Sequence, residues 1–180
     1  TTLFLAPVFT VLDNQYPLID GPSVRPALGP RDLLGLTLHF AVVLTPFFLA
    51  WRWLAAPREH KVLLRALAFV GLGYSFLVLI EIRLSPQLHN WVYGYFPHAF
   101  NQHVRDGGFR PLVFLNHGLE LGFFLFMAVI AAFALGRQET GKMRVVMFLI
   151  GIWLTGVLMI SHNLGAAMLA ILFVPVVIFV

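Results

Sequence analysis

The feature that most limits what this chain can become is a succession of apolar runs, each as long as one bilayer crossing. Residues 33–54, 62–82, 112–135 and 145–160 form four such runs, and the last continues into a fifth at 164–180. A helix needs about 20 mostly apolar residues to cross the hydrocarbon core, and only helices and closed barrels satisfy their backbone groups in lipid. Each run is therefore expected to be a helix, and residues 1–12 read as the tail of another. The stretch 145–180 exceeds one crossing, and Ser161-His162-Asn163 breaks it, so a tight helical hairpin is expected there. The expected fold class is all-α: a polytopic transmembrane helical bundle, about five full spans plus a truncated N-terminal one.

Composition excludes the main alternatives. With 59% hydrophobic and only 11% charged residues in 180, the chain is far from the roughly 25% charge of soluble domains. Disorder needs low hydrophobicity and high charge, and the chain has neither. The absence of cysteine removes disulfides, thiolate metal sites, iron-sulfur ligation and a Cys nucleophile. The 12 Lys and Arg are scattered between apolar runs and form no basic stripe, so nucleic acid is not an expected partner. The chain opens Thr1-Thr2-Leu3 and closes inside the apolar run 175–180, which suggests an excerpt of a longer membrane protein forming a single helical domain.

Orientation follows from basic residues in short loops. Arg52, Arg58, Lys61 and Arg65 cluster after the first full run, and Arg137, Lys142 and Arg144 after the third. Arg25, Arg31, Arg83, Arg105 and Arg110 are spread over much longer segments on the other side. The density predicts that 55–65 and 136–144 are cytoplasmic. His39, His89, His98, His103, His117 and His162 then share the outer face, and His60 alone lies opposite. The Pro- and Gly-rich segment 13–32 reads as ordered turns.

Residues 81–120 carry most of the chemistry, and 83–111 are expected to form an outer loop holding the site. Arg83, Arg105 and Arg110 bracket this loop, and the guanidinium fork suits phosphate. Each could also reach headgroups or pair with Glu81 or Asp106. Trp91 and Tyr95 fit either an interfacial belt or a stacking surface for sugar faces. Asn116, His117 and Glu120 are expected on one helical face inside the membrane, where polar groups are expensive and tend to face a cavity. His117 reads as a structural histidine, a catalyst, or with Glu120 a metal ligand; a lone H-x-x-E pair is a weak metal signal. At the hairpin, a bare turn explains Ser161 and Asn163, and His162 is the surplus.

Two stretches, Gly108-Phe109-Arg110-Pro111-Leu112-Val113-Phe114-Leu115-Asn116-His117-Gly118 and Ser161-x-x-Leu164-Gly165-Ala166, resemble motifs of the O-antigen ligase and polymerase superfamily, including exopolysaccharide polymerases. The resemblance is best over 81–172. Arg110 and His117 match the first motif, although Gly118 departs from its usual continuation. Ser161 and Gly165-Ala166 match the second, with His162 where a basic residue is common.

The resemblance implies a metal-independent, cofactor-free glycosyltransferase in the bacterial inner membrane, with its site on the periplasmic side. Its donor would be a polyprenyl-diphosphate-linked glycan, and its partners membrane lipids and other polysaccharide-assembly proteins. The large periplasmic loop usual in the family is absent here. Arg83, Arg105 and Arg110 would bind the diphosphate, with Glu81, Trp91, Tyr95, Ser161 and His162 also contacting substrate, and His117 or His98, with Glu120, would catalyse.

The chemistry is consistent with this: transfer from a lipid diphosphate needs an apolar opening, cations for the leaving group and a base for the sugar hydroxyl. Three further classes compete, one of them a structural or assembly subunit. A transporter would use Glu81, Glu120 and the histidines as a relay, and a haem or metal oxidoreductase would use His39, His117 and His162 as ligands.

Overall fold

A computed structural model describes residues 2–97, 100–105 and 108–179. These form seven α-helices with two small antiparallel hairpins, in two compact units, Thr1–Glu59 and His60–Val180. Four of the helices are long and apolar enough to cross a membrane.

The first unit contains α1 (Thr2–Asp13), β1 (Leu18–Asp20), β2 (Ser23–Arg25) and α2 (Pro30–Trp53). Strands β1 and β2 pair from Leu18 with Arg25 to Asp20 with Ser23, so part of the turn-rich segment is a hairpin. Gly21, at φ +56°, makes the tight turn that a side chain would resist. Helix α2 begins where Pro30 needs no hydrogen bond and the Gly29 N–H donates to Asp32 Oδ2 at 2.8 Å. It buries no residue, and its Leu34, Leu38, Val42 and Trp51 are exposed. That is the condition of a helix whose solvent is lipid.

In the second unit, α3 (Pro57–Leu84), whose first turn lies in the first unit, leads to α4 (Leu88–Tyr93) and a 3-10 turn (Phe100–His103). The hairpin β3 (Val104–Arg105) and β4 (Gly108–Phe109) then precedes α5 (Gly118–Gln138), α6 (Gly141–Ile160) and α7 (Leu164–Phe179). Helix α5 is the centre, packing on both α6 and α7 with Leu121, Leu125, Ala128 and Ala132 fully buried. Small residues set how closely helices approach. A Cβ on Gly71 of α3 would overlap the Ala128 methyl, and one on Gly151 of α6 would stand 3.0 Å from the Phe133 ring. Between α3 and α6, Trp153 Nε1 donates to Ser75 Oγ at 2.8 Å.

The helical hairpin expected at 161–163 is present. The third run differs: its helix starts at Gly118, six residues after Leu112, because Pro111 to His117 follow an irregular path, buried from Pro111 to Val113, with Val113 at φ +56°. Asn116 and His117 therefore precede the helix and share no helical face with Glu120.

The two ends of this unit differ chemically. At one, Lys61 Nζ stands 3.0 Å from Glu139 Oε1, Arg65 pairs with the same oxygen, and Arg137 Nη1 donates to the Val177 carbonyl at 3.1 Å. At the other lie the buried polar residues Glu81, His89, His103, Arg110, Ser161 and Asn163.

Two predictions follow from the packing and the ion pairs. Gly71→Val should overpack the α3–α5 contact and lower stability by about 1–3 kcal/mol, read as a lower melting midpoint in detergent. Arg65, then Lys61, hold the Glu139 carboxyl below its ordinary value of 4.5. A carboxylate with a lowered folded value stabilises above its unfolded one and loses that contribution as pH falls. Acid should thus lower the melting midpoint of wild type more than that of Glu139→Gln as pH drops below 4.5.

Candidate functional site

The site begins with Glu81, fully buried near the end of α3. Its Oε1 accepts the Leu88 N–H at 3.0 Å, and its Oε2 accepts those of Leu112 and Val113 at 2.8 and 2.7 Å. One carboxylate thus joins α3, the start of α4 and the irregular segment before α5. Buried backbone N–H groups outside a helix need such an acceptor. Glu81 was expected among the substrate contacts; its two oxygens are bound to the protein's own backbone.

The irregular segment starts at Arg110, which is 5% exposed. Its main chain is clamped to His103, the Arg110 N–H donating to the His103 carbonyl at 2.7 Å and His103 Nδ1 donating to the Arg110 carbonyl at 3.2 Å. Its guanidinium donates twice to Asn163 Oδ1, from Nε at 2.8 Å and from Nη2. Asn163 Nδ2 in turn donates to the Ser161 carbonyl and Oγ, both at 3.1 Å, and Ser161 Oγ donates to the Leu158 carbonyl at 2.8 Å. The loop before α5 and the α6–α7 hairpin are thereby locked together. Both polar side chains lie on a glycine face of α5: a Cβ at Gly118 would stand 2.7 Å from Arg110 Nε, and one at Gly122 2.8 Å from Asn163 Cγ.

His117 is the N-cap of α5, its Nδ1 accepting the Leu119 N–H at 3.0 Å. Glu120 is exposed, and its Oε2 accepts the Asn116 N–H at 3.3 Å. His162 sits in the hairpin with φ +53°, a left-handed conformation rare for residues other than glycine. Its ring rests on Gly108, where a Cβ would stand 2.6 Å from His162 Nε2.

Arg110, His117 and His162, with Gln102, Leu119 and Gly165, line one cleft of about 330 Å³. Leu119 and Gly165 also line an adjoining apolar hollow of about 310 Å³ with Phe123, Ala166 and Leu169. Phe123 and Leu169 extend into a third, with Phe126, Ile130, Phe173 and Val177, about 380 Å³ and lined entirely by apolar side chains. The result is a polar cleft opening onto an apolar furrow between α5 and α7.

The other expected site residues are placed elsewhere or not described. Arg83 is exposed, and neither it nor Trp91 nor Tyr95 lines the cleft; Trp91 and Tyr95 are 65% and 57% exposed. The Tyr95 carbonyl accepts from His89 Nδ1 at 3.0 Å, which pins the chain after α4. Arg105 occupies β3, paired in register with Gly108. His98 lies outside the described residues. Among the described residues, no group of three or more His, Asp or Glu is arranged to hold a metal ion.

Asn163 was read only as a turn residue, Gly108 and Gly118 only as parts of a motif, and Gln102 and Gly122 were not singled out. The Gly118-x-x-x-Gly122 spacing is a legible signal of close approach on one helix face. No family model, curated protein or solved structure matches the chain.

Glu81→Gln should place an amide N–H against a backbone N–H and cost roughly 1–3 kcal/mol. The expected readouts are a lower melting midpoint and faster proteolytic cleavage in the loop between α4 and α5. Unchanged behaviour would remove Glu81 as the organiser of the site.

Proposed function

We propose that this chain is part of a membrane-embedded glycan transfer protein. It moves a saccharide from a polyprenyl-diphosphate carrier to an acceptor hydroxyl during polysaccharide or O-antigen assembly. The observation that carries this reading is the union of the Arg110–His117–His162 cleft with the apolar furrow between α5 and α7. A lipid diphosphate has that division: a charged head that asks for a guanidinium and N–H donors, and a tail that asks for hydrocarbon.

In this reading the cleft faces the periplasm across the bacterial inner membrane, and the Lys61–Arg65–Glu139 end faces the cytoplasm, as basic loops prefer. Helix α7 is a fifth crossing. The motif resemblance over 81–172 points the same way, and partners would include other membrane proteins of polysaccharide assembly. A proton relay through Glu81 is the weaker reading, because both of its oxygens accept backbone N–H groups.

Gly165 supplies the test. It lines both the cleft and the furrow, and a Cβ there meets nothing within 4 Å. Gly165→Leu should fill the junction while favouring helix, so the protein level should hold. Membranes supplied with a polyprenyl-diphosphate-linked saccharide should transfer the glycan with wild-type protein and at least about tenfold more slowly with the variant. Undiminished transfer by Gly165→Leu would refute the furrow as the lipid path, and no transfer by wild type would refute the function.

A further inference from the structure

We propose that α4 lies in the headgroup boundary of the membrane that α3 crosses, with the exposed sides of Trp91, Val92, Tyr93 and Tyr95 in contact with lipid. The partner of this face is the bilayer, and Trp91 and Tyr95 leave the set of expected substrate contacts. This role needs α3 to span the membrane and owes nothing to the glycan transfer reading.

Helix rise sets the level of α4. Arg65 stands at the charged end of α3, paired with Glu139. From there to Leu84, the last residue of the helix, the axis climbs about 28 Å. That is nearly the roughly 30 Å of hydrocarbon in a bilayer. With the ion pairs at one boundary, the end of α3 reaches the other. Phe76, Ile80 and Leu84, each one helical turn from the next, are all exposed, so a lipid-facing stripe continues to the final residue. Arg83, next to Leu84 in the chain, is exposed too, and a guanidinium at this level reaches phosphate headgroups. The chain turns at Ser85, with φ +79°, and the Leu88 N–H donates to Glu81 Oε1 at 3.0 Å. Helix α4 thus starts level with the last turn of α3.

One side of α4 is fastened inward. His89 is buried, its Nδ1 donates to the Tyr95 carbonyl at 3.0 Å, and its ring packs against those of Tyr93 and Tyr95, with centroids 4.8 and 4.9 Å away. Gly94, at φ +77°, ends the helix and lets the chain return to His89. Held in this way, Trp91, Val92, Tyr93 and Tyr95 are each more than half exposed, and α4 contains no Lys, Arg, Asp or Glu. Indole and phenol groups join an apolar body to a polar rim, which favours the membrane–water boundary over either water or hydrocarbon. Val92 decides between lipid and a sugar face. Its branched aliphatic group gains from leaving water and has no hydrogen bond to offer a hydroxyl-rich ligand.

Fluorescence of the full chain in phosphatidylcholine nanodiscs tests the contact. Wild type and Trp91→Phe differ by the emission of Trp91. That difference spectrum should lie to the blue of tryptophan in water. A doxyl group high on the acyl chain should quench it more than one near the chain end, and aqueous iodide should have little effect. Quenching by iodide with none from either doxyl lipid would overturn the proposal, and stronger quenching from the deep doxyl group would move α4 into the hydrocarbon and overturn its boundary position.

A spin label reads the same face with Trp91 in place. The chain has no cysteine, so Val92→Cys accepts a single label. Both Trp91 and Val92 are exposed, so neither change disturbs the packing. Oxygen dissolved in lipid should relax the label several times more than a nickel chelate confined to water, and the reverse order refutes lipid contact. Trp91 emission that shifts when maltoheptaose is added would give the face to a glycan. A close label-to-label distance between two chains in one nanodisc would give it to a second copy. Either result overturns the bilayer as the partner.

Discussion

The buried carboxylate of Glu81 is the interaction on which the second unit depends. A protein that lives in lipid cannot leave backbone N–H groups bare, and irregular backbone survives there only where protein or a water-filled cavity satisfies it. The path from Pro111 to His117 is such a stretch, with Leu112 and Val113 fully buried. Glu81 accepts the N–H groups of both and also that of Leu88. Because the apolar run does not become helix until Gly118, His117 is placed at the mouth of α5 as its cap.

From that anchor the site is assembled by matched shapes and donors. Arg110 is fastened through its main chain to His103 and through its side chain to Asn163. Asn163 uses its oxygen for the guanidinium and its amide hydrogens for Ser161, so both halves of one side chain are engaged. Gly118 and Gly122 make room for these side chains on α5, where any larger residue would collide with them. A hydrogen-bonded network of this kind rigidifies the groups that it joins. The site can therefore sit at the edge of an apolar bundle and still hold its groups in place. The furrow beside it is left open by the packing of α5 and α7.

The opposite end shows how the same bundle handles charge where water is available. Lys61 and Arg65 share Glu139, whose side chain is 14% exposed, and Arg137 reaches the Val177 carbonyl near the end of α7. Cations near a helix C-terminus complement its dipole, and such contacts tie the helix ends together while weighing less in the core.

Helix-length apolar runs, a break at 161–163 and low charge were enough to read a helical membrane bundle, because the need to satisfy backbone in lipid leaves little choice of secondary structure. The sequence also marked Arg110, His117 and His162, since cations and imidazoles beside apolar runs stand out. It could not reveal that Glu81 would bind backbone, that the helix would wait until Gly118, or that Asn163 would meet Arg110. Those outcomes depend on residues 31 to 53 positions apart meeting in space. Nor could it show that Nδ1 of His117 is committed to a cap, which only the turn into α5 decides. Local pattern determines what each segment must be in lipid, while the choice of hydrogen-bond partner for each buried polar group is made by the packing of the helices.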